Sequence, residues 1–432
     1  MSNLNLDIHD FGPINQANIE LKKLNIIAGI NGSGKTTSSK LLYCFLTSNS
    51  NESDYLANKS IYKRFLSIAT TLDFELNFDS ENSSKIRKLS YNLSNLRDKN
   101  FNSKVKTNIN KLKIIINESE IKNKNEYLEQ ITDIENALEI NNNERRKFFN
   151  VSNTLLKSEF NINDLKINEK TNVHFFGQQN DCKFSYKLDS NEFRMGFIIN
   201  KGNLKCLNFE KIIYIDSASI FDIDNTSNSL YLKNPTHNLR FLASKIYLIK
   251  DNEDVYDSIF NEKLDECIDK INSLIGGNIY YNIDEREFLF QTDDGEYHMK
   301  NTASGIKQIG IIQILLSNRI LNKDSFLIID EPEVNLHPDW QVKLAETLAL
   351  LISKLNIHIY ITSHSPMFIE AMSLYSEYYN LLDETNIYLT NKQDKRFIFN
   401  KISADDMGAV YENLTRPYDE LDIIKSKILF NE

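Results

Sequence analysis

A glycine-rich octapeptide near the start of the chain restricts its possible folds more than any other feature. Residues 29–36 read Gly-Ile-Asn-Gly-Ser-Gly-Lys-Thr, and they follow the apolar run Leu24–Ala28. Glycines let such a loop aim successive backbone N–H groups at phosphate oxygens, and a helix beginning near Lys35 adds the positive end of its dipole. The pattern therefore predicts a strand, a phosphate-binding loop and a helix, as in α/β nucleotide-binding folds.

The side chains of this loop indicate ATP with Mg²⁺ as the ligand. Lys35 provides a positive charge for the β- and γ-phosphates, and the hydroxyl of Thr36 can ligate Mg²⁺. The other predicted nucleotide contacts are Asn31, Gly32, Ser33, Gly34 and Thr37. A flexible Gly/Ser loop would explain neither Lys35 nor the preceding strand, so we predict an ATP site.

A second motif lies almost three hundred residues later. Four apolar residues, Phe326–Ile329, are followed by Asp330 and Glu331. This pattern favours a buried parallel strand whose end delivers carboxylates to the ligand edge of an open sheet. We expect Asp330 to hold Mg²⁺ through water and Glu331 to polarise the attacking water; the alternative is an acidic helix cap.

Two further segments fit the same site. Ser304 and Gly305 open a stretch with helical spacing, so they predict a second helix N-terminus suited to a γ-phosphate, although Ser304 alone could be a simple N-cap. The apolar run from Ile357 predicts another buried strand, and it ends near His364. A lone histidine is more often structural, but the order of the four motifs along the chain favours a catalytic role.

Composition limits the partners and the compartment. The chain has 432 residues, 25% of them charged, and a net charge of −10, so DNA binding is possible but is not indicated by charge. Its four cysteines are scattered and match no zinc or disulfide pattern: Cys44, Cys182, Cys206 and Cys267. There is no signal peptide or membrane-spanning apolar run, so we expect a cytoplasmic protein with no membrane contact.

The region after the phosphate-binding loop predicts a helical insertion. It has no glycine from residue 35 to 176, and apolar residues recur at the spacing of a narrow helix seam. These seam residues are Val105, Ile109, Leu112, Ile116, Ile131, Ile134 and Leu138. We predict a projecting hairpin, coiled-coil-like but short, with a basic arm from Lys85, a turn at 118–125 and an acidic second arm; it would dock a partner or form a solvated pair.

The predicted domains are therefore an ATPase head in two halves, 1–84 and 169–432, with the insertion at 85–168. Alternating runs at 183–186 and 195–199 favour an antiparallel sheet beside the main one. Short strands are expected at 279–281, 288–290, 387–389 and 397–399, and a final helix at 407–414. Asp405 and Asp406 are the adjacent carboxylates of this tail, and they suit a helix first turn better than a two-metal nuclease.

The order of motifs resembles the ABC-type ATPase family, in the branch of the SMC and RecF proteins and the overcoming-lysogenization ATPases. Within it, Phe11–Ile14, Ser304-Gly305 and the Asp-Glu-Pro-Glu run at 330–333 followed by Leu-His-Pro at 336–338 look like AAA ATPases of bacterial anti-phage systems. ATPases of the PARIS type are the nearest in build, with those of Septu and retron systems next.

This resemblance implies an α/β ATPase head, with a mixed central sheet and an antiparallel β subdomain. It also implies a homodimer or higher homo-oligomer that sandwiches ATP between the loop with Lys35 in one subunit and the Ser304-Gly305 helix of the other. The dimer would be the sensor and scaffold of a defence system, controlling a separate toxic effector, a nuclease. The alternative is a RecF- or SMC-like DNA-binding ATPase of repair or recombination; a transporter motor fits less well.

The sequence departs from the family pattern at two places. Asn335 stands where this group often has a histidine. The glutamine loop of ABC-type ATPases has no clear counterpart, and its candidates are Gln178, Gln179 and Asp216, of which Asp216 has the best topological position.

Overall fold

The computed structural model describes residues 3–76, 81–160, 170–179, 182–190, 195–202, 207, 209–216, 220–221, 236–247, 258–403 and 406–430. Its strands in chain order are β1 (Asn3–Phe11), β2 (Ile14–Leu21), β3 (Leu24–Ala28), β4 (Asn172–Gln179), β5 (Cys182–Ser190), β6 (Met195–Lys201), β7 (Lys211–Ile215), β8 (Asn278–Asn282), β9 (Glu287–Thr292), β10 (Gly295–His298), β11 (Ser325–Asp330), β12 (His358–Ser363), β13 (Thr385–Gln393) and β14 (Arg396–Ile402). Eleven strands form one sheet in the order β6-β5-β4-β1-β2-β14-β13-β3-β12-β11-β7, and β8 to β10 form a small antiparallel sheet.

The described helices are α1 (Lys35–Asn49), α2 (Glu52–Glu75), α3 (Glu81–Asn92), α4 (Phe101–Glu118), α5 (Lys124–Asn142), α6 (Glu144–Glu159), α7 (His237–Ile246), α8 (Ser258–Ile275), α9 (Ser304–Ser317), α10 (Pro338–Leu355), α11 (Pro366–Tyr378), α12 (Met407–Leu414) and α13 (Pro417–Phe430). None of the helices within the described ranges is both long and apolar enough to cross a membrane.

The parallel part of the large sheet carries the predicted motifs. β3, β12, β11 and β7 are adjacent and parallel, and the residues of β3 and β11 are buried throughout, as their apolar sequences predict. Because the strands are parallel, their carboxyl ends meet at one edge, where Asp330 pairs with Thr362 and Ser363 pairs with Ala28. The α/β fold with a mixed central sheet is thus confirmed.

The antiparallel strands are confirmed, but they are not a separate sheet. β5 pairs with β4 and β6, and β4 pairs with β1, which extends the central sheet. β1 can join both parts because each of its two edges has a strand partner, β2 on one side and β4 on the other. The tail is also more integrated than expected, since β13 runs parallel to β3 and β14 pairs with β2.

The predicted helical hairpin exists as α4 and α5. Asn102 donates to Asn142 and Lys113 contacts Glu135 at 2.8 Å, so the two helices are antiparallel, with the turn between Glu118 and Lys124. The Lys113–Glu135 pair also joins the basic and the acidic arm as expected.

The insertion has more than the two predicted helices. The predicted first arm is divided into α3 and α4, and the seam residues pack with apolar side chains of α2 and α3 in one buried cluster. α2 takes part because Ile61, Phe65, Ile68 and Leu72 form an apolar stripe of their own. The result is a four-helix cluster beginning with α2, before the predicted boundary at residue 85; the proposed limit at 168 lies outside the described residues.

The remaining expectations concern the tail and the cysteines. The final predicted helix is confirmed as α12, with Asp406 directly before it, while Asp405 lies outside the described residues. α13 follows α12 and was not predicted. Cys44 and Cys267 are buried and free. Cys206 and the side chain of Cys182 lie outside the described residues.

Candidate nucleotide-binding site

The loop at 29–34 has the backbone conformation that its glycines predict. Gly32 and Gly34 have φ angles of 76° and 97°, in the left-handed region that other residues rarely adopt. The N–H of Gly29 donates to the carbonyl of Ser363 at 3.1 Å, which fixes the loop to the end of β12. A Cβ atom at Gly29 would lie 1.8 Å from Oγ1 of Thr390, so this position has no room for a side chain.

Lys35 is held at the centre of the loop. Its buried Nζ donates to the carbonyls of Gly29 at 2.8 Å and Ile30 at 3.0 Å, and it lies 3.4 Å from Oε1 of Glu331. Burial lowers the pKa of Lys35, and the Glu331 carboxylate opposes that shift. The buried hydroxyl of Ser33 has no hydrogen-bond partner within the described part of the chain. A buried ammonium beside an unsatisfied hydroxyl fits a phosphate group.

Asp330 is buried at the end of β11 and is surrounded by hydroxyl donors. Its Oδ1 accepts from Ser39 at 2.7 Å and Thr362 at 2.9 Å, and its Oδ2 accepts from Tyr214 at 2.6 Å. Burial raises the pKa of Asp330, while these hydrogen bonds and one from Thr36 favour the ionised carboxylate. The structure therefore brings the two predicted metal ligands, Thr36 and Asp330, together, and their oxygen atoms fit Mg²⁺.

Glu331 lies between Lys35 and His364. Its φ angle of 48° is left-handed, and its N–H donates to the Thr362 carbonyl at 3.0 Å. Its Oε1 lies 3.4 Å from Nζ of Lys35 and 3.4 Å from Nδ1 of His364. The His364 contact, followed by the Lys35 charge, lowers the pKa of Glu331, and the same contact raises the pKa of His364. Lys35, Glu331 and His364 thus meet at one point, as the motif order predicts.

Two residues without a predicted role complete this arrangement. Glu333 is buried, and its Oε1 accepts from the Ser363 hydroxyl at 2.7 Å and the His364 N–H at 2.9 Å. Tyr214 donates to Asp330 from the neighbouring strand β7. The second acid of the Asp-Glu-Pro-Glu run was a signal for Glu333, whereas Tyr214 became identifiable only from the strand order.

Ser304 lies at the start of α9 and is exposed, with no hydrogen bond or ion pair to residues 29–37 within the described ranges. Gly305 packs next to the loop after β11, because a Cβ there would lie 2.7 Å from Cδ2 of Leu336. Asn31, Gly32 and Thr36 are exposed at the loop and Thr37 is half-buried, so they are accessible to a ligand.

The candidates for the glutamine-loop position lie on different strands, at different distances from the nucleotide site. Asp216 follows β7 beside β11 and accepts from Nδ2 of Asn238 at 2.9 Å. Gln178 lies on β4, which β1, β2, β14 and β13 separate from β3, so it is far from this edge of the sheet. The side chain of Gln179 lies outside the described residues. Asn335 has a left-handed φ of 64° in the loop after β11.

A phosphate-binding loop with a buried lysine, opposite an acidic strand end in a parallel sheet, defines a P-loop ATPase. Residues 3–369 match the AAA ATPase domain family, so the chain belongs to that family and is an ATPase. None of the curated proteins matches the chain significantly.

Solved structures similar to the chain include three that are each 10% identical to it. The SMC head domain bound to the C-winged helix domain of ScpA has a TM-score of 0.41 and covers 94% of this chain and 98% of its own. The SMC head domain from Thermotoga maritima has a TM-score of 0.38, and the match covers 93% of this chain and 99% of that one. The third structure is the Smc head domain with an extended coiled coil, bound to the C-terminal domain of ScpA and derived from Pyrococcus furiosus. Its TM-score is 0.40, and the match covers 96% of this chain and 100% of that one.

Proposed function

We propose that this ATPase is a nucleotide-controlled switch that dimerises around ATP and controls a separate toxic effector of an anti-phage system. The observation that carries the switch is the three-residue contact of Lys35, Glu331 and His364, in which the groups expected to act on the γ-phosphate pair with one another. A phosphate that competes for Lys35 would rearrange all three side chains, so nucleotide state and local structure are coupled.

Two features support a site completed by a second copy. Ser304 is exposed at the N-terminus of α9, which has no side-chain cap among the described residues, and first-turn N–H groups of a helix can bind an anion. In addition, exposed apolar side chains follow three adjacent parallel strands at the ligand edge. They are Ile30 (43% exposed), Val334 (38%) and Met367 (42%). Exposed apolar side chains grouped at one edge of the sheet favour contact with another protein surface.

The residues of this chain have distinct parts in hydrolysis. Bound ATP with Mg²⁺ supplies the phosphoryl group that is transferred to water. Thr36 and Asp330 would hold the ion, and Lys35 would turn to the phosphates and leave Glu331. Glu331, no longer paired with the ammonium, can then accept a hydrogen bond from water and orient it. His364 would stay beside Glu331 and stabilise negative charge that develops nearby.

The defence role is proposed from the resemblance of the Asp-Glu-Pro-Glu and Leu-His-Pro motifs. Its test is purification of the tagged chain from native cells, with and without ATP, for the unaltered protein and for Glu331→Gln. We expect the product of a neighbouring gene to co-elute and the eluate to have nuclease activity that depends on that partner. Elution without a partner, together with salt-sensitive DNA binding and DNA-stimulated hydrolysis, would instead establish the DNA-binding alternative.

A further inference from the structure

Glu333 is an almost completely buried acid with an incomplete set of partners. The residue is 3% exposed, and its Oε1 accepts from the Ser363 hydroxyl, from the His364 N–H and from the Ser365 N–H at 3.3 Å. Its Oε2 is buried and accepts no hydrogen bond from the described residues. Burial of a carboxylate costs free energy unless its charge is paired and both oxygens are hydrogen-bonded. One oxygen of Glu333 is not hydrogen-bonded to any described residue, so the burial of this acid requires an explanation.

The position of His364 provides one. Its Nδ1 lies 3.4 Å from Oε1 of Glu331 and the same distance from Oε1 of Glu333. Nδ1 therefore lies within ion-pair distance of two carboxylates, one partly exposed and one buried, but it donates a hydrogen bond to neither. The backbone N–H of His364 does donate to Glu333, at 2.9 Å. Among the described residues, the charged groups that act on His364 are Glu331, Glu333 and, with the opposite effect, Lys35.

We infer that Glu333 is a positioning residue that holds His364 when Glu331 turns toward water. While Glu331 orients the attacking water, His364 keeps its backbone hydrogen bond to Glu333 and a carboxylate 3.4 Å from its Nδ1, so the ring stays in place. Glu333 acts through His364 and does not contact the reacting atoms. This inference rests on the assignment of Glu331 and His364 to the reaction.

A purely structural role for Glu333 predicts a different effect of its substitution. Glu333 also connects the loop after β11 to the loop after β12 through Ser363 and Ser365, and that tether alone could account for its burial. Loss of a tether should weaken the site whether or not His364 is present. Loss of a partner for His364 should have no further effect once His364 is gone, because coupled residues are not additive.

The experiment is a double-mutant cycle on ATP hydrolysis, with Glu333→Gln, His364→Gln and both together, measured from pH 6 to pH 9. We expect Glu333→Gln to lower kcat about tenfold, the size of effect seen when a residue supporting an active group is removed, with KM for ATP within about twofold. The limb of the pH profile that reports His364 should move to lower pH, because removing a nearby negative charge lowers the pKa of a histidine. In the His364→Gln background, Glu333→Gln should change kcat less than about twofold.

Ser363→Ala is the matched control, since it removes one hydrogen bond from the same carboxylate oxygen but leaves the charge. It should keep the position of the pH limb. Equal losses from Glu333→Gln in both backgrounds, or the same limb shift in Ser363→Ala, would overturn the inference.

If thermal unfolding shows that Glu333→Gln does not fold, Glu333→Asp takes its place in the cycle. Its shorter carboxylate should lower kcat only when His364 is present. Glu331→Gln is measured in parallel, because it tests the assignment of the site itself. Full turnover in Glu331→Gln would overturn that assignment. If Glu331→Gln is inactive but the effects of the Glu333 and His364 substitutions are additive, only the role of Glu333 is overturned.

Discussion

Nζ of Lys35 lies 3.4 Å from Oε1 of Glu331, so the lysine expected to bind phosphate is paired with the acid expected to activate water. Lys35 and Glu331 are thus each within ion-pair distance of the other. The pairing connects residues almost three hundred positions apart through two strands, β3 and β11, which β12 separates. A phosphate that binds Lys35 would replace its contact with Glu331, so substitution of either residue should alter ATP binding or hydrolysis.

Lys35→Ala should abolish tight ATP binding. A charged hydrogen-bond donor contributes roughly 1.5–3 kcal/mol, so the affinity should fall by at least about tenfold. Isothermal titration calorimetry with ATP and Mg²⁺ measures this directly. Lys40→Ala is the control, because Lys40 lies on the same helix and donates to the backbone carbonyl of Glu159. Unchanged affinity in Lys35→Ala would show that the loop does not bind phosphate.

Glu331→Gln should slow hydrolysis by roughly 10²–10³-fold while ATP stays bound, because the amide cannot accept a proton from water. Single-turnover kinetics together with filter binding separate these two effects. Glu346→Gln, which alters an acid paired with Lys270 on the outer helices, should leave turnover unchanged. The ATP-bound form of Glu331→Gln should also remain dimeric, and full turnover would refute the assigned role.

Gly29→Ala should destabilise the protein through one identifiable contact. The new Cβ would lie 1.8 Å from Oγ1 and 2.9 Å from Cβ of Thr390 on β13, and overpacking of this kind costs about 1–3 kcal/mol. Thr390→Ala in the same chain removes the closest atom and should restore part of the loss. Chemical denaturation of the unaltered protein, the two single variants and the double variant measures this recovery. Additive losses in the double variant would show that the two positions do not touch.

The main residues of the site could be predicted from the sequence because each motif ends a buried parallel strand or begins a helix, and such patterns are local. The position of these residues at one edge of the sheet, Lys35, Asp330, Glu331 and His364, is therefore predictable from sequence. The four-helix cluster could not be predicted from the sequence, since the apolar seam of α4 and α5 does not reveal that α2 packs against it. Likewise, nothing local to Tyr214 reports that β7 lies next to β11. Long-range pairing was the missing information.

The last prediction concerns the composite site. Lys35→Ala inactivates the phosphate-binding loop, and Ser304→Arg places a bulky cation at the exposed start of α9, so each variant alone should be inactive. In a mixed dimer with two-fold symmetry, one site combines both defects, but the other joins an intact loop to an intact Ser304 helix. Random mixing in equal amounts should therefore recover about a quarter of normal activity, since half of the dimers carry one complete site of two. Steady-state ATP hydrolysis against mixing ratio measures this recovery. Activity that stays at the level of the separate variants, although mixed dimers form by native mass spectrometry, would mean that each site is completed within one chain.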